Sequence, residues 1–166
     1  NPFDFFERIY CINLDSREDR WRRVQKQFLK LGILDRVKRF SAVARENAIE
    51  GCRLSHQQVI RRALDHRWKQ ILVFEDDVVF WSEDLAPLCS AIHSLERIEW
   101  GQFFLGGLLK ANAQRVDEHL LESRVTGMHA YGLSLRAYEF LLKAPKEGRI
   151  DHSVSLDVRV RQLYLS

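Results

Sequence analysis

The sequence has little of what would mark it as anything other than a folded domain. It carries 3 prolines and 8 glycines in 166 residues, too few for a collagen-like or linker-rich chain. No apolar run approaches the roughly 18 residues of a membrane span, and no segment has the layout of a secretory signal. The 3 cysteines, Cys11, Cys52 and Cys89, show neither zinc-knuckle nor Cys-x-x-Cys spacing. So sparse and odd a set predicts free thiols in a reducing compartment. There is no internal repeat and no low-complexity segment. Lys and Arg number 26 against 23 Asp and Glu, and a net charge of +3 is too small to call for a nucleic-acid partner. The chain opens on Asn1-Pro2 without Met, which predicts a processed or trimmed N-terminus.

What remains is ordinary globular composition, 46% hydrophobic and 30% charged. A chain of this length forms one domain and buries about 68–70% of its unfolded surface. Short apolar runs alternate with amphipathic stretches. Strands are expected at Arg8–Asn13, Val37–Val43, Gln70–Phe74, Trp100–Leu105 and Met128–Leu133. The spacing of Trp21, Val24, Phe28 and Leu31 predicts a helix begun by a capping box at Ser16 and stopped at Gly32. A second helix is expected to start at Ser55, its apolar face Val59, Ile60, Ala63 and Leu64. A third follows a Ser82 cap, a fourth covers Ser134–Lys143, and a last one covers Asp151–Leu163. Residues 110–126 read as loop with short strands. This order implies an α/β fold, a mostly parallel sheet with helices on both faces. Ligands of such sheets sit beyond the carboxyl ends of the strands.

Unusual clusters fall at those ends. Glu75-Asp76-Asp77 directly follows the apolar run Ile71–Phe74, where adjacent like charges repel. In an extended chain Glu75 and Asp77 share a face and Asp76 takes the other. Two carboxylates on one face suit Mg²⁺ or Mn²⁺ bridging to phosphate; an acidic turn with capping duty suits the residues as well. Receiver domains also carry an acidic pair after such a strand, but on their first one, which excludes them here. Asn13–Arg20 lies at a strand-to-helix turn, where backbone N–H groups favour an anion and Arg17 and Arg20 can grip a phosphate. The same turn also reads as a cap at Asp15 or Ser16 with solvated arginines. His56, placed in a first helical turn, is disfavoured as a cation there and can hydrogen-bond a ligand, or is structural. Asp151 and Asp157 are each a general base or a helix-start charge. The basic residues of 17–30 make a solvated helix face or meet an anionic surface.

Taken in order, these pieces resemble glycosyltransferase family 25, which includes bacterial lipooligosaccharide and collagen galactosyltransferases. The resemblance rests on Tyr10-Cys11-Ile12-Asn13-Leu14-Asp15-Ser16-Arg17 with Asp19-Arg20, on Gly51-Cys52-Arg53-Leu54-Ser55-His56, and on Leu72-Val73-Phe74-Glu75-Asp76-Asp77. Phe104-Leu105-Gly106-Gly107 and His129-Ala130-Tyr131-Gly132-Leu133-Ser134 continue it. It covers roughly residues 8–157.

The resemblance implies a single GT-A type, Rossmann-like domain over residues 1–166. Glu75-Asp76-Asp77 stands where that fold carries Asp-x-Asp, which implies Mn²⁺ or Mg²⁺ at Glu75 and Asp77 beside a UDP-sugar, with UDP-galactose as the implied donor. Asn13, Asp15, Arg17, Arg20, Ser55, His56 and Asp76 are implied in the nucleotide pocket, with Asp157 or Asp151 as the base of an inverting transfer. The implied acceptor is a glycan or lipid-linked saccharide of lipopolysaccharide-type synthesis. The implied setting is cytoplasmic, at the inner face of a membrane with peripheral association. Family members run on past Ser166, so the domain is expected to be cut short at its C-terminus. The alternatives are a non-catalytic nucleotide-sugar-binding domain of the same fold and a metal-dependent phosphodiesterase.

Overall fold

Strand side chains alternate between faces, and in this chain both sets are apolar, so the sheet must be covered on both sides. In β1 (Arg8–Asn13) Ile9 and Cys11 enter one core while Tyr10 and Ile12 enter the other. In β3 (Gln70–Glu75) Leu72 and Phe74 oppose Ile71 and Val73 in the same way. The first core is closed by α1 (Glu18–Lys30) and α3 (Ala86–Leu95), through residues such as Phe28 and Leu88. The second is closed by α2 (Ala48–Asp65) and α4 (Leu135–Lys143), through Val59, Ile60 and Tyr138. The computed structural model describes residues 1–106, 108–109, 114–122, 125–126, 128–143 and 153–156.

The remaining strands of the main sheet are β2 (Val37–Ser41), β4 (Gln102–Phe104), β6 (Gln114–Arg115), β7 (Leu120–Glu122), β9 (Ala130–Ser134) and β10 (Ser153–Leu156). Two short strands, β5 (Leu108–Leu109) and β8 (Val125–Thr126), pair apart from it. The sheet order is β2-β1-β3-β9-β4-β10-β7-β6. β1 pairs in parallel with both β2 and β3, whereas β9 lies antiparallel between β3 and β4. β10 returns parallel to β4, and β7 is antiparallel to both β10 and β6. The mixed α/β fold with most strands sharing one direction agrees with the sequence. The expectation does not include the reversed β9, because an apolar run carries no sign of direction.

Helix boundaries differ from several expectations. α1 begins at Glu18 with Arg17 at its cap position and no side-chain cap, so Ser16 does not start it. Its end is as expected. Gly32 has φ +66°, Gly32 N donates to Leu29 O (3.1 Å) and Ile33 N to Phe28 O (3.0 Å), and Ile33 packs beside Phe28. α2 begins at Ala48, where Asn47 Oδ1 accepts from Ile49 N and Glu50 N. Ser55 and His56 are therefore in mid-helix, and the dipole argument for His56 does not apply. Ser82 caps a turn at Asp84 N, and Asp84 Oδ1 accepts from Ala86 N, so α3 begins later. Residues 153–156 form a strand where a final helix is expected. Asp151, Asp157 and the rest of that segment lie outside the described residues, as does Gly107.

Candidate active site

The parallel strands β1, β2 and β3 end at Asn13, Ser41 and Glu75, and a cleft of about 220 Å³ opens beyond them. Its lining combines the turn after β1, the start of the loop after β2, one face of α2 and the acidic run after β3. Every side chain nominated for the site within the described residues lines this cleft, except Asp15. Asp15 stays exposed and accepts from Ser41 Oγ (2.9 Å).

The acidic run divides as strand parity requires. Glu75 lies on the α2 side. His56 Nε2 is 3.0 Å from Glu75 Oε1, and His56 Nδ1 is 2.6 Å from the Tyr131 hydroxyl. Tyr131 is fully buried, and burial with the nearby Glu75 charge raises its pKa well above the usual 10.0. It remains a phenol that can donate to Nδ1 of a neutral ring, while Nε2–H donates to Glu75. Glu75 is held below its ordinary pKa, first by the His56 hydrogen bond, with burial opposing.

Asp76 takes the other direction. Its Oδ2 accepts from Asn13 Nδ2 (2.6 Å) and its Oδ1 from Arg20 Nη1 (3.0 Å). Both oxygens are engaged, so Asp76 ties the first strand and the first helix to the third strand. Asn13 Nδ2 also donates to Arg17 O (3.1 Å), which leaves Asn13 Oδ1 buried with no hydrogen-bond partner among the described residues. Arg17 pairs with Asp19 at the surface, and this pairing lowers the Asp19 pKa.

Asp77 turns back toward Glu75, and His129, which the sequence offers only within the family resemblance, lies close to both. His129 precedes β9, and its carbonyl accepts from Glu75 N (2.9 Å). The antiparallel register thus seats His129 opposite Glu75 on the same face. His129 Nδ1 is 3.2 Å from Glu75 Oε2 and 3.5 Å from Asp77 Oδ1, yet it is buried without an aligned hydrogen bond. One ligand atom from each of Glu75, Asp77 and His129 lies within 4.8 Å of the other two. Two carboxylate oxygens and an unpaired imidazole nitrogen turned on one point fit a divalent cation. Beyond their place in the motif that carries the family resemblance, the sequence signal that ties His129 and Tyr131 to Glu75 is parity. Both lie on one face of a strand, and the strand that pairs with it carries Glu75.

Ser55 is not a cap. Its Oγ donates to Gly51 O (2.7 Å) and accepts from Val43 N (2.8 Å), fixing the loop after β2 against α2. Gly51 permits that contact, since a Cβ there would meet Val43 O at 2.5 Å.

The sequence model of glycosyltransferase family 25 (LPS biosynthesis protein) matches residues 47–157. No curated protein matches the chain. Among solved structures, A197 from STIV superposes with a TM-score of 0.52 at 10% identity, over 89% of this chain and 80% of that one. A glycosyltransferase involved in glycosylation of the major capsid of PBCV-1 superposes with a TM-score of 0.48 at 10% identity. That match covers 80% of this chain and 61% of that one.

Proposed function

The chain belongs to glycosyltransferase family 25, and from that premise we propose that the cleft beyond β1, β2 and β3 binds a UDP-sugar and a divalent cation. The family makes it a glycosyltransferase, which uses a sugar donor and a saccharide acceptor. The observation that carries the finer reading is the grouping of Glu75, Asp77 and His129, two of which line a cleft that also holds Arg17 and Arg20. Glu75, Asp77 and His129 would hold Mn²⁺ or Mg²⁺, which when bound offsets charge on a leaving diphosphate. His56, fixed by Tyr131, orients the Glu75 carboxylate. Arg20, anchored by Asp76, faces the phosphate end. Asn13, at the end of β1, lines the same cleft and is assigned to the nucleotide end.

The donor sugar we propose is galactose and the acceptor a lipopolysaccharide-type saccharide, with inversion at the anomeric carbon. Asp157, or else Asp151, would take the acceptor hydroxyl proton. No helix among the described residues is long and apolar enough to cross a membrane. The exposed Arg22, Arg23, Lys26 and Lys30 of α1 support peripheral contact with an anionic surface near a lipid-linked acceptor.

Titration of UDP into the protein with and without Mn²⁺ tests the site. Metal-dependent affinity is expected to fall at least about tenfold in Asp77→Asn and in His129→Ala. Unchanged Mn²⁺-dependent binding in Asp77→Asn would sink the metal assignment. In a transfer assay, Asp157→Asn is expected to keep UDP binding and lose turnover; the same result in Asp151→Asn instead would reassign the base.

A further inference from the structure

Cys52 lies one turn before His56 on α2, so both side chains stand on the helix face turned to the end of β3. Cys52 Sγ is 3.7 Å from Glu75 Oε1, and His56 Nε2 is 3.0 Å from the same oxygen. One ligand atom from each of the three lies within 4.8 Å of the others. Cys52 is exposed and lines the cleft, so an ion in solution can reach it.

This donor set is chemically different from the one at Asp77. It offers one sulfur, one imidazole nitrogen and one carboxylate oxygen, where the other offers two oxygens and a nitrogen. Thiolate selects Zn²⁺ and its soft neighbours over Mg²⁺ and Mn²⁺. A tetrahedral ion with Zn–S about 2.3 Å, Zn–N about 2.0 Å and Zn–O about 2.1 Å separates S from O by about 3.6 Å and N from O by about 3.3 Å. The separations of 3.7 Å and 3.0 Å in the protein already approach this.

We propose that Cys52, His56 and Glu75 form a second cation site, selective for a thiophilic divalent ion such as Zn²⁺, beside the Glu75–Asp77–His129 group. On binding, the Cys52 S–H proton leaves to solvent and the sulfur takes up the ion. His56 changes tautomer as the ion binds: the Nε2 proton is given up to solvent and Nδ1 takes one up, so that Nε2 presents its lone pair and Nδ1–H donates to the Tyr131 hydroxyl oxygen. No electron changes hands. The Tyr131 contact is the outer partner that fixes a metal-ligating imidazole. Three protein ligands leave a fourth position open to the cleft.

The test is titration of Co²⁺ into the metal-free protein, read as the near-ultraviolet thiolate-to-cobalt charge-transfer band. It needs neither nucleotide nor acceptor, so its outcome is independent of the transferase reading. The band is expected at one equivalent, to be displaced by Zn²⁺, and to vanish in Cys52→Ser, whose exposed position leaves the fold intact. It is expected to persist in His129→Ala and Asp77→Asn, which remove the other group's ligands. Absence of the band, its survival in Cys52→Ser, or its loss in His129→Ala would each overturn the second site.

Discussion

Glu75 is the residue on which the site turns, because it is shared by His56, His129 and Cys52. Its depressed pKa has a stability consequence. The His56 hydrogen bond favours the carboxylate in the folded state, so the stabilisation is fully present above the ordinary value of 4.5. It is lost as pH falls below 4.5 toward the depressed folded value. Metal-free Glu75→Gln is therefore expected to lose stability less steeply on acidification than the unaltered chain. Urea denaturation from neutral pH into the acid limb measures this, and parallel slopes would contradict it. The acidic run itself is legible in the sequence, since three adjacent carboxylates after an apolar strand have few structural uses. His129 is not legible, because its closeness to Glu75 arises only from an antiparallel register. Asp76 lines the cleft, but its carboxylate is spent on Asn13 and Arg20.

At the scale of elements, the largest difference lies in α2. Ser55-His56-Gln57-Gln58 imitates a helix start, whereas the true cap is Asn47. The preceding turns hide themselves: Ile49 is 82% exposed and Gly51 offers no side chain, so the apolar period becomes visible only from Val59 onward. Asn47→Ala is expected to cost about 1 kcal/mol of stability by removing the acceptor for two backbone N–H groups. Thermal denaturation checks it, and an unchanged midpoint would return the helix start to Ser55. The early start matters to the site. It brings Cys52 onto the cleft and makes Ser55 a clamp between α2 and the loop after β2. The Gly32 stop was readable because a left-handed residue after a periodic run has a single chemical signature.

At the scale of the whole molecule, the alternation of strands and helices was enough to read the α/β class and the two-sided covering of the sheet. Strand direction was not readable, and direction decides the architecture here. β4 makes no pairing with β3 except through β9. A chain ended after Leu109 retains β1 to β4 but lacks the strand that joins them. It is expected to melt without a cooperative transition, and circular dichroism would show this; a sharp transition would mean that β1 to β3 fold by themselves.

The late position of β9 also sets the order of events on the ribosome. Synthesis delivers β3 and β4 with their facing edges bare, and the strand that belongs between them emerges only after the following small strands. Until then the nascent chain carries two open edges, which are templates for pairing with another chain. The strand whose register seats His129 beside Glu75 is therefore also the one that covers these two facing edges.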